Sequence, residues 1–409
     1  MRFVLCALLI LPASCFAFTW TAFGPDEASI TGWCFHQEPP TYSVLATTTG
    51  ILLDQGSGWV PFTYGALPCE GAAHLDAERM LVALADSSWS DGIYTFDLTT
   101  HQFLVVTWCI HPRFLVHYPD LGAYYAGYDP GLLVSTDGLN WADVPGVGSE
   151  RCLAMAQHGN HLVVAGETLI HWSDDAGVTW HQAQPDAPHL CDLEFSQDGT
   201  LFGIGPGKGM YSGLWSSRDF GDTWERDFWG LFMSSVTVDC DGTVFAGWNN
   251  PGSGGFIDCG VAMWNPVSHE LIYLNAGLPD SLVNALGSNP LVDCRSIMCG
   301  TAAGAHYLTG YLTAPQLGIE LTAPSAARLS WAPGGSPDYF DIYRSQNPFP
   351  TGTGSAWATV EGTVLQYYLT DGIGDESIDY YYVIRGRDAM QTSPKSGTVG
   401  DADFATNIP

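Results

Sequence analysis

The sequence predicts an all-β protein, and two observations support that prediction. Short runs of alternating apolar residues are separated by Gly, Asp and Pro along most of the chain, a pattern typical of short strands joined by tight turns. One strand-opening pattern, usually Gly followed by apolar residues, also recurs at 50, 92, 131, 168, 213, 260 and 304. A spacing of roughly 40 residues is the period of one four-stranded blade. Residues 18–313 are therefore predicted to form a seven-bladed β-propeller, with six blades as the alternative.

The first 17 residues have the pattern of a secretory signal peptide. Met1 and Arg2 give a short basic start, an apolar run of about nine residues follows, and small residues lie near Ala17. This run is too short to span a bilayer, and no later apolar stretch is long enough. We therefore expect a secreted protein, extracellular or periplasmic, without a transmembrane segment. A lipid anchor at Cys15 stays open, because the preceding residues partly match a lipoprotein cleavage box.

Two eight-residue stretches, 173–180 and 217–224, read Ser-x-Asp-x-Gly-x-Thr-Trp, and residues 135–141 repeat the motif with one residue fewer. Ser and Asp side chains accept hydrogen bonds from nearby backbone amides, and Gly tolerates the positive φ of a tight turn. The Trp then opens the next strand. The residues expected to build these structural turns are Ser135, Asp137, Trp141, Ser173, Asp175, Gly177, Trp180, Ser217, Asp219, Gly221 and Trp224.

This motif resembles the Asp-box (BNR) repeat of sialidase-like β-propellers. The resemblance implies that each motif turn joins the third and fourth strands of a blade and carries no catalytic group. The last repeat lacks its final strand, while residues 18–22 form a strand without a blade. We expect that segment to pair into the last blade and close the ring, which removes open sheet edges.

The propeller repeat ends at about residue 315, and short strand-like runs separated by Pro, Gly and Asp follow. Residues 318–409 are predicted to form an immunoglobulin-like β-sandwich. Leu329-Ser330-Trp331, then Tyr-x-Ile-Tyr-Arg and Tyr-x-Ile-x-Gly-x-Asp, resembles a bacterial fibronectin type III module. The resemblance implies that Trp331 is the core tryptophan and that Tyr382 forms the tyrosine corner.

The cysteines suggest disulfide bonds but no metal site. Two of the eleven cysteines fall in the expected leader, so an odd number remains in the mature chain, where an oxidising compartment would allow pairing. The candidate pairs are Cys294 with Cys299 and Cys240 with Cys259. No CxxC or HxxxH spacing is present, so neither a metal nor a cofactor is expected.

The charge balance restricts the partners. With 13 Lys and Arg against 43 Asp and Glu, the formal net charge is −30. Such a surface repels the phosphates of nucleic acids and of anionic lipids. We expect a monomer whose partner is an extracellular glycan or protein.

Catalysis is the weaker hypothesis. Sialidases, by the resemblance, bind a carboxylate with three arginines, and here only Arg113, Arg151 and Arg226 could approach the face opposite the motif turns. A glycosidase with two carboxylates remains the alternative, with Glu150 and Asp186 as its candidate residues and Asp280 nearby.

Aromatic and charged residues concentrate in the loops of that opposite face, where they predict a binding surface. The candidate binding residues are Trp89, Trp108, His111, Arg113, Arg151, His189, Trp229 and Trp248. The favoured function is thus a secreted or periplasmic, non-catalytic binding or scaffold protein, and the alternative is a polysaccharide-degrading glycoside hydrolase.

Overall fold

A computed structural model describes the greater part of the chain. The described residues are 19–25, 28–36, 41–85, 90–205, 212–249, 260–265, 270–275, 277–289, 293–309, 316–323, 326–332, 337–345, 356–369, 381–387, 393 and 399–400. They fall into two compact units, Thr19–Thr309 and a second one within residues 310–409. Nearly all regular structure is β-strand.

The strands of the first unit are, in chain order, β1 (Thr19–Ala22), β2 (Ile30–His36), β3 (Tyr42–Thr47), β4 (Gly50–Asp54), β5 (Val60–Phe62), β6 (Cys69–His74), β7 (Arg79–Leu84), β8 (Gly92–Asp97), β9 (Phe103–Trp108), β10 (Phe114–Tyr118), β11 (Ala123–Tyr128), β12 (Gly131–Ser135), β13 (Ala142–Asp143), β14 (Cys152–His158), β15 (His161–Gly166), β16 (Ile170–Ser173), β17 (His181–Gln182), β18 (Asp192–Phe195), β19 (Leu201–Gly205), β20 (Gly213–Ser217), β21 (Glu225–Phe228), β22 (Met233–Val238), β23 (Val244–Trp248), β24 (Gly260–Asn265), β25 (Glu270–Tyr273), β26 (Val283–Asn289), β27 (Asp293–Thr301) and β28 (Gly304–Thr309). A short 3-10 turn at Pro119–Leu121 separates β10 from β11.

Within the described residues these strands form seven four-stranded antiparallel sheets. Six sheets use consecutive strands, from β2–β5 to β22–β25, and the seventh has the order β1-β28-β27-β26. The first strand of each sheet contacts the first strand of the next, and β26 contacts β2. The sheets thus form a closed, propeller-like cycle around the strands β2, β6, β10, β14, β18, β22 and β26.

Strand β1 confirms the expected closure of the last sheet. Thr19–Ala22 pairs antiparallel with β28, and Trp20 lies opposite Leu308. The Trp20 side chain is buried, and its indole Nε1 donates a hydrogen bond of 2.6 Å to the carbonyl oxygen of Leu274. Strand β1 therefore supplies the outer strand that the last repeat lacks.

Each repeated glycine is the first residue of the third strand of its sheet, where the outer strand passes close to the backbone. A Cβ atom at Gly50 would lie 2.3 Å from the carbonyl oxygen of Phe62. At Gly213 the corresponding distance to Phe228 is 2.1 Å. Both glycines also have positive φ, 140° and 129°. A larger side chain would therefore both clash and strain the backbone, which explains the periodic glycine in the sequence.

Apolar side chains fill the space between neighbouring sheets. Val44 of β3 packs in one cluster with Met80 of β7 and Phe96 of β8. Farther along, Phe202 of β19 shares a cluster with Val236 of β22. Alternation along each strand sends successive side chains to opposite faces, so one strand contributes to the cores on both sides of its sheet.

The motif turns share one pattern of hydrogen bonds. In the second copy Gly177 N donates to Ser173 Oγ at 2.9 Å, and Thr179 N donates to Asp175 Oδ1 at 2.8 Å. The indole Nε1 of Trp180 donates to the Gly177 carbonyl at 3.0 Å. The bonds of Ser217, Asp219 and Trp224 repeat these, with the amides of Gly221 and Thr223 as donors.

The shorter copy keeps the same arrangement with one residue fewer. Gly138 N donates to Ser135 Oγ at 2.8 Å, and Trp141 Nε1 donates to the Gly138 carbonyl at 2.9 Å. The Asp137 carboxylate accepts hydrogen bonds from the side chain and backbone of Asn140, and these bonds hold the pKa of Asp137 well below its usual range. The motif residues are therefore occupied in shaping the turn.

The second unit contains β29 (Gln316–Ala323), β30 (Ala326–Ala332), β31 (Tyr339–Ser345), β32 (Ala358–Glu361), β33 (Gln366–Leu369), β34 (Tyr381–Arg387) and β35 (Val399–Gly400). They form two sheets, in the orders β29-β30-β33 and β32-β31-β34-β35. Trp331, Phe340 and Tyr382 are buried in one shared core. Trp331 thus occupies the core position expected of it.

The expected pairing of Cys294 with Cys299 is wrong, because Cys299 is a free, buried thiol. Both residues lie on strand β27. Five residues of extended strand span about 16 Å, far beyond the Cα separation of a disulfide. Cys240 is disulfide-bonded. Its expected partner, Cys259, lies outside the described residues, so that pairing stays a prediction.

No helix in the described part of the chain has the length and apolar character needed to cross a membrane.

Candidate functional site

The strand order divides the loops of the first unit between two faces. The upper face is defined here by the loops that join second to third strands and by those that lead from an outer strand to the next first strand. The lower face carries the remaining hairpins, including the three motif turns. Antiparallel order forces this alternation. The motif residues therefore lie on the face opposite the candidate binding residues.

A cluster of charged side chains lies on the upper face between the second, third and fourth sheets. Arg151 Nη2 lies 2.9 Å from Asp129 Oδ2, and Arg151 Nη1 lies 3.8 Å from Glu167 Oε1. His111 lies between two carboxylates, with Nδ1 3.8 Å from Asp129 Oδ2 and Nε2 3.7 Å from Asp91 Oδ2. We call these five residues the upper-face cluster. The structure thus brings together His111 and Arg151, which are forty residues apart in sequence.

The backbone holds His111 in an uncommon conformation. Its φ is 46°, in the left-handed region that residues with a Cβ rarely adopt. Its N–H donates a hydrogen bond of 3.0 Å to the buried carboxylate of Asp91. Asp91 therefore holds the backbone of this loop, and its carboxylate lies 3.7 Å from the imidazole Nε2, beyond hydrogen-bond distance.

Glu150, a candidate catalytic carboxylate, is committed to the fold. Its Oε2 accepts hydrogen bonds from the backbone N–H of Thr168 at 3.0 Å and from the Thr168 hydroxyl at 2.6 Å. Its Oε1 accepts from Leu169 N at 3.1 Å. Both carboxylate oxygens thus shape the loop that begins β16. Asp186, the second candidate, is an exposed loop residue.

The predicted aromatic residues divide between surface and core. Trp108, at the upper end of β9, is 59% exposed, and Trp229 in the loop after β21 is 56% exposed. Trp248 is only 1% exposed and packs in the core between the fifth and sixth sheets. Its expected place on an exposed binding surface is therefore wrong, because it points into the apolar space between sheets. Trp89 lies outside the described residues.

The remaining predicted residues have distinct places. His189 is half-buried in the loop that leads to β18. Arg226 lies on the outer strand β21, with its guanidinium 5.5 Å from the centre of the Trp215 ring. Only Arg113 and Arg151 lie in upper-face loops, so the described residues do not assemble the three-arginine site that sialidase activity would require.

A central channel lies among the first strands of the first unit. It has a volume of about 480 Å³, and residues from all seven first strands line it. Four charged side chains contribute to the wall, namely those of Glu70, Arg113, Asp192 and Glu194. Arg113 Nε is buried there with no hydrogen-bond partner among the described residues. Arg113 thus belongs to the channel, whereas His111 and Arg151 belong to the upper-face cluster.

The channel carboxyls have perturbed acidity. Desolvation in the channel, with the charge of Asp192 as the second cause, raises the pKa of Glu194 to about 8, although the side chain stays exposed to solvent within the channel. Burial also raises the pKa of Asp192 to about 7, although hydrogen bonds from Val236 N and Leu193 N partly offset the shift. Burial raises the pKa of Glu70, partly offset by the positive charge of Arg113. These carboxyls hold protons more readily than free side chains.

A second cavity, of about 680 Å³, lies at the fifth and sixth sheets, where hairpin residues such as Gln197 and Asp241 place it toward the lower face. Its walls include Asp198, Arg218 and Asp227. Asp198 accepts a hydrogen bond from Thr200 N at 3.0 Å and is thereby held in its turn. Among the described residues, no group of three or more His, Cys, Asp and Glu side chains is placed to hold a metal ion.

Sequence reasoning missed several of these residues. Asp192 and Glu194 stand at alternate positions of a first strand, so both point to one side of it; two charges in an otherwise apolar strand were the available signal. Asp129 precedes Pro130 and Gly131 in a tight connection, where an Asp is expected only to stabilise the turn. Its contacts with His111 and Arg151 depend on three loops meeting in space, which no local pattern reports.

Comparisons with known proteins bear on the fold alone. No family model and no curated protein matches the chain. Its structure is similar to the extracellular domain of the BT4673 one-component system of B. thetaiotaomicron, with 11% identity over 93% of this chain and a TM-score of 0.55. This chain covers 53% of that one, about half its length.

Two smaller solved structures are also similar. "YCF48 bound to D1 peptide" shares 12% identity over 75% of this chain and 96% of that one, with a TM-score of 0.51. The WD40 repeats of RRP9 share 12% identity over 71% of this chain and 96% of that one, with a TM-score of 0.50. The described fold is therefore propeller-like.

Proposed function

We propose that this chain is a secreted, non-catalytic binding protein: a seven-bladed propeller with motif turns of the Asp-box type, followed by a fibronectin type III-like module. Its upper face binds a basic segment of a partner protein. The observation that carries this proposal is the combination of an exposed Trp229 with a preorganised and predominantly acidic upper face. A neutral glycan is the second candidate ligand.

The charges of the upper face favour a cationic partner. The carboxylates in its described loops outnumber its arginines: Asp91, Asp129, Glu150, Glu167, Asp186 and Asp280 against Arg113 and Arg151. An acidic surface attracts Lys and Arg side chains and repels polyanions. It therefore disfavours the acidic sugars that a sialidase would bind.

The exposed aromatic side chain suits the same partner. Trp229 is more than half exposed on a loop of the upper face. A Lys or Arg side chain over a Trp ring gains a cation–π attraction, and aromatic residues are enriched among binding hot spots. The peptide-bound structure with a similar fold supports the idea that such a propeller can take a peptide.

The state of the upper-face carboxylates disfavours hydrolysis there. Glu150 uses both oxygens to hold the loop at Thr168 and Leu169. Asp129 is paired with Arg151 at 2.9 Å. A glycosidase needs one carboxyl that stays protonated and one that is available to a water or to the sugar. Glu150 and Asp129 therefore do not form such a pair.

A peptide array and a glycan array on the purified protein test the proposal. We expect binding to Lys- or Arg-containing peptides that weakens as salt rises, since exposed charges are screened. Trp229→Ala should weaken that binding about tenfold or more. The matched control is Val178→Ala, because Val178 is 80% exposed in a motif turn on the lower face.

Three outcomes would count against the proposal. Binding to polyanionic glycans would contradict the charge argument. Equal losses from Trp229→Ala and Val178→Ala would remove the upper face as the site. Binding confined to neutral oligosaccharides, again sensitive to Trp229→Ala, would keep the face and replace the ligand class.

The channel favours a second candidate function, glycoside hydrolysis. Glu194 holds its proton near neutral pH, as a general acid must, and Asp192 stands two residues away on the same strand. A reducing-end assay on neutral polysaccharides tests this alternative. Turnover abolished by both Glu194→Gln and Asp192→Asn would establish it over the binding proposal.

A further inference from the structure

The outer strand β9 differs from the other outer strands of the first unit. It has six residues, whereas the others described have between two and four. β21 carries Glu225, Arg226 and Asp227, but β9 reads Phe-Leu-Val-Val-Thr-Trp without a charge. Charged side chains, Pro and short length are the means by which proteins blunt a sheet edge. Apart from a bulge at Val106, β9 uses none of them.

An apolar surface continues from β9 onto the neighbouring sheet. Leu104 is 65% exposed on one face of the sheet, Val105 is exposed on the other face, and Trp108 and Ile110 are exposed farther along the chain. Tyr64, which follows β5, has its ring 5.7 Å from that of Phe103. The segments 55–69 and 98–110 contain no Asp, Glu, Lys or Arg. In a chain of net charge −30, this is a neutral region at the outer edge of two adjoining sheets.

The backbone of β9 directs hydrogen-bonding groups outward. Asp97 N donates to the carbonyl of Gln102, its opposite residue, at 3.0 Å. In an antiparallel ladder, hydrogen-bonded and non-hydrogen-bonded residue pairs alternate. Because Gln102 belongs to a hydrogen-bonded pair, Phe103 and Val105 belong to non-hydrogen-bonded pairs, and Leu104 between them belongs to a hydrogen-bonded one. The N–H and C=O of Phe103 and Val105 therefore point away from β8, ready for another strand.

We propose that β9 is a dimer interface, on which a second copy of this chain pairs its own β9 in antiparallel fashion. A two-fold axis at Leu104 would place Phe103 of one copy opposite Val105 of the other, so that the outward groups bond to each other. Such an interface is isologous, because both copies use the same surface. It would extend two four-stranded sheets into one continuous sheet.

The self-complementary backbone register of β9 and its lack of charge favour a second copy as the occupant. Two chains of net charge −30 repel each other through most of their surfaces. The region around β9 is the place where they can approach without opposing carboxylates. Two copies of this apolar, uncharged strand can also pack against each other, since Leu104 of each copy would contact Leu104 of the other across the axis. The proposed dimer departs from the monomer expected from the sequence, and it leaves the loop at Trp229 free for a partner.

Oligomeric state tests this interface directly. Sedimentation velocity of the purified protein between about 1 and 100 μM should show a species of twice the chain mass, since a dimer forms by mass action. Leu104→Lys would place two like charges opposite each other, which destabilises a cross-strand pair. It should raise the dimer dissociation constant about tenfold or more.

The control substitution is Ala142→Lys, at an exposed position of the outer strand β13, and it should leave the dimer intact. Leu104→Cys provides an independent check, because facing residues of a non-hydrogen-bonded pair lie about 4.5 Å apart, within the range of a disulfide. Oxidation should then link two copies. A wild-type monomer throughout the concentration range, or a dimer unchanged by Leu104→Lys and without a cross-link in Leu104→Cys, would overturn the proposal.

Discussion

Trp20 lies opposite Leu308 across an antiparallel strand pair, although the two residues stand at opposite ends of the first unit. The bond from the Trp20 indole to the Leu274 carbonyl adds a contact with the neighbouring sheet. Because β1 belongs to the last sheet and the chain then continues into β2, this segment joins the last sheet of the cycle to the first. Closure of the ring therefore requires contacts between residues far apart in sequence, and the short strand β1 supplies them.

Replacing Trp20 should test that dependence. Trp20→Ala removes a buried ring and leaves a cavity, for which core substitutions of this size cost about 3–5 kcal/mol. The free energy of unfolding, measured in urea, should fall by that amount. Trp229→Ala is the control, because its exposed ring should cost within about 0.5 kcal/mol. Similar values for both variants would show that β1 contributes little to closure.

A motif turn can be tested with two adjacent serines. Ser217 is buried, and its hydroxyl accepts the N–H of Gly221 at 2.8 Å. Ser217→Ala leaves that buried donor unpaired, at a cost of about 1–3 kcal/mol. The neighbouring Ser216 is also buried, but its hydroxyl makes no hydrogen bond within the described residues. Ser216→Ala should therefore cost less, and thermal unfolding of both variants would decide the matter.

The channel carboxyls predict a pH dependence of stability. Glu194 has a pKa of about 8 in the folded protein and about 4.3 when unfolded. Between these values the folded state binds more protons than the unfolded state, so stability should fall as pH rises from about 4.3 to about 8 and then level off. The raised pKa of Asp192, about 7, acts in the same direction.

Glu194→Gln removes the titration and should flatten that profile. We expect the variant to gain about 1 kcal/mol over wild type at pH 8.5 and almost nothing at pH 4.5. This value is discounted from about 1.4 kcal/mol per pKa unit, because water in the channel screens the charge. Urea unfolding at the two pH values measures it. Equal free energies of unfolding for the variant and wild type at both pH values would contradict the raised pKa of Glu194.

Cys299 should behave as a protected thiol. Burial raises the pKa of the Cys299 thiol well above its usual range, and the thiolate is the reactive form. Iodoacetamide at pH 8 should therefore label Cys299 in denaturant but not in the folded protein. Peptide mapping without reduction should show no link between Cys294 and Cys299. A recovered Cys294–Cys299 peptide would reverse the structural assignment.

The sequence alone determined the repeating features of this protein. The Ser-x-Asp-x-Gly-x-Thr-Trp turns and the alternating strands are local, because they depend on hydrogen bonds and steric limits within a few residues, and the periodic glycine depends only on the next strand of the same sheet. Gly50 and Gly213 could be placed at strand openings for that reason, and residues 18–22 could be assigned to the last sheet because one strand was missing there. The sequence likewise indicated which face carries His111 and Arg151.

Only the tertiary structure decided which side chains meet and which are buried. Trp229 and Trp248 look alike in sequence, yet one is exposed on a loop and the other is packed between sheets, since burial depends on the neighbouring sheet. Asp129 contacts His111 and Arg151 from two other loops. Glu150 is not available for catalysis, because its carboxylate accepts hydrogen bonds from the backbone amides of Thr168 and Leu169. Contacts between sheets have no local signature, and for that reason the site required the assembled fold.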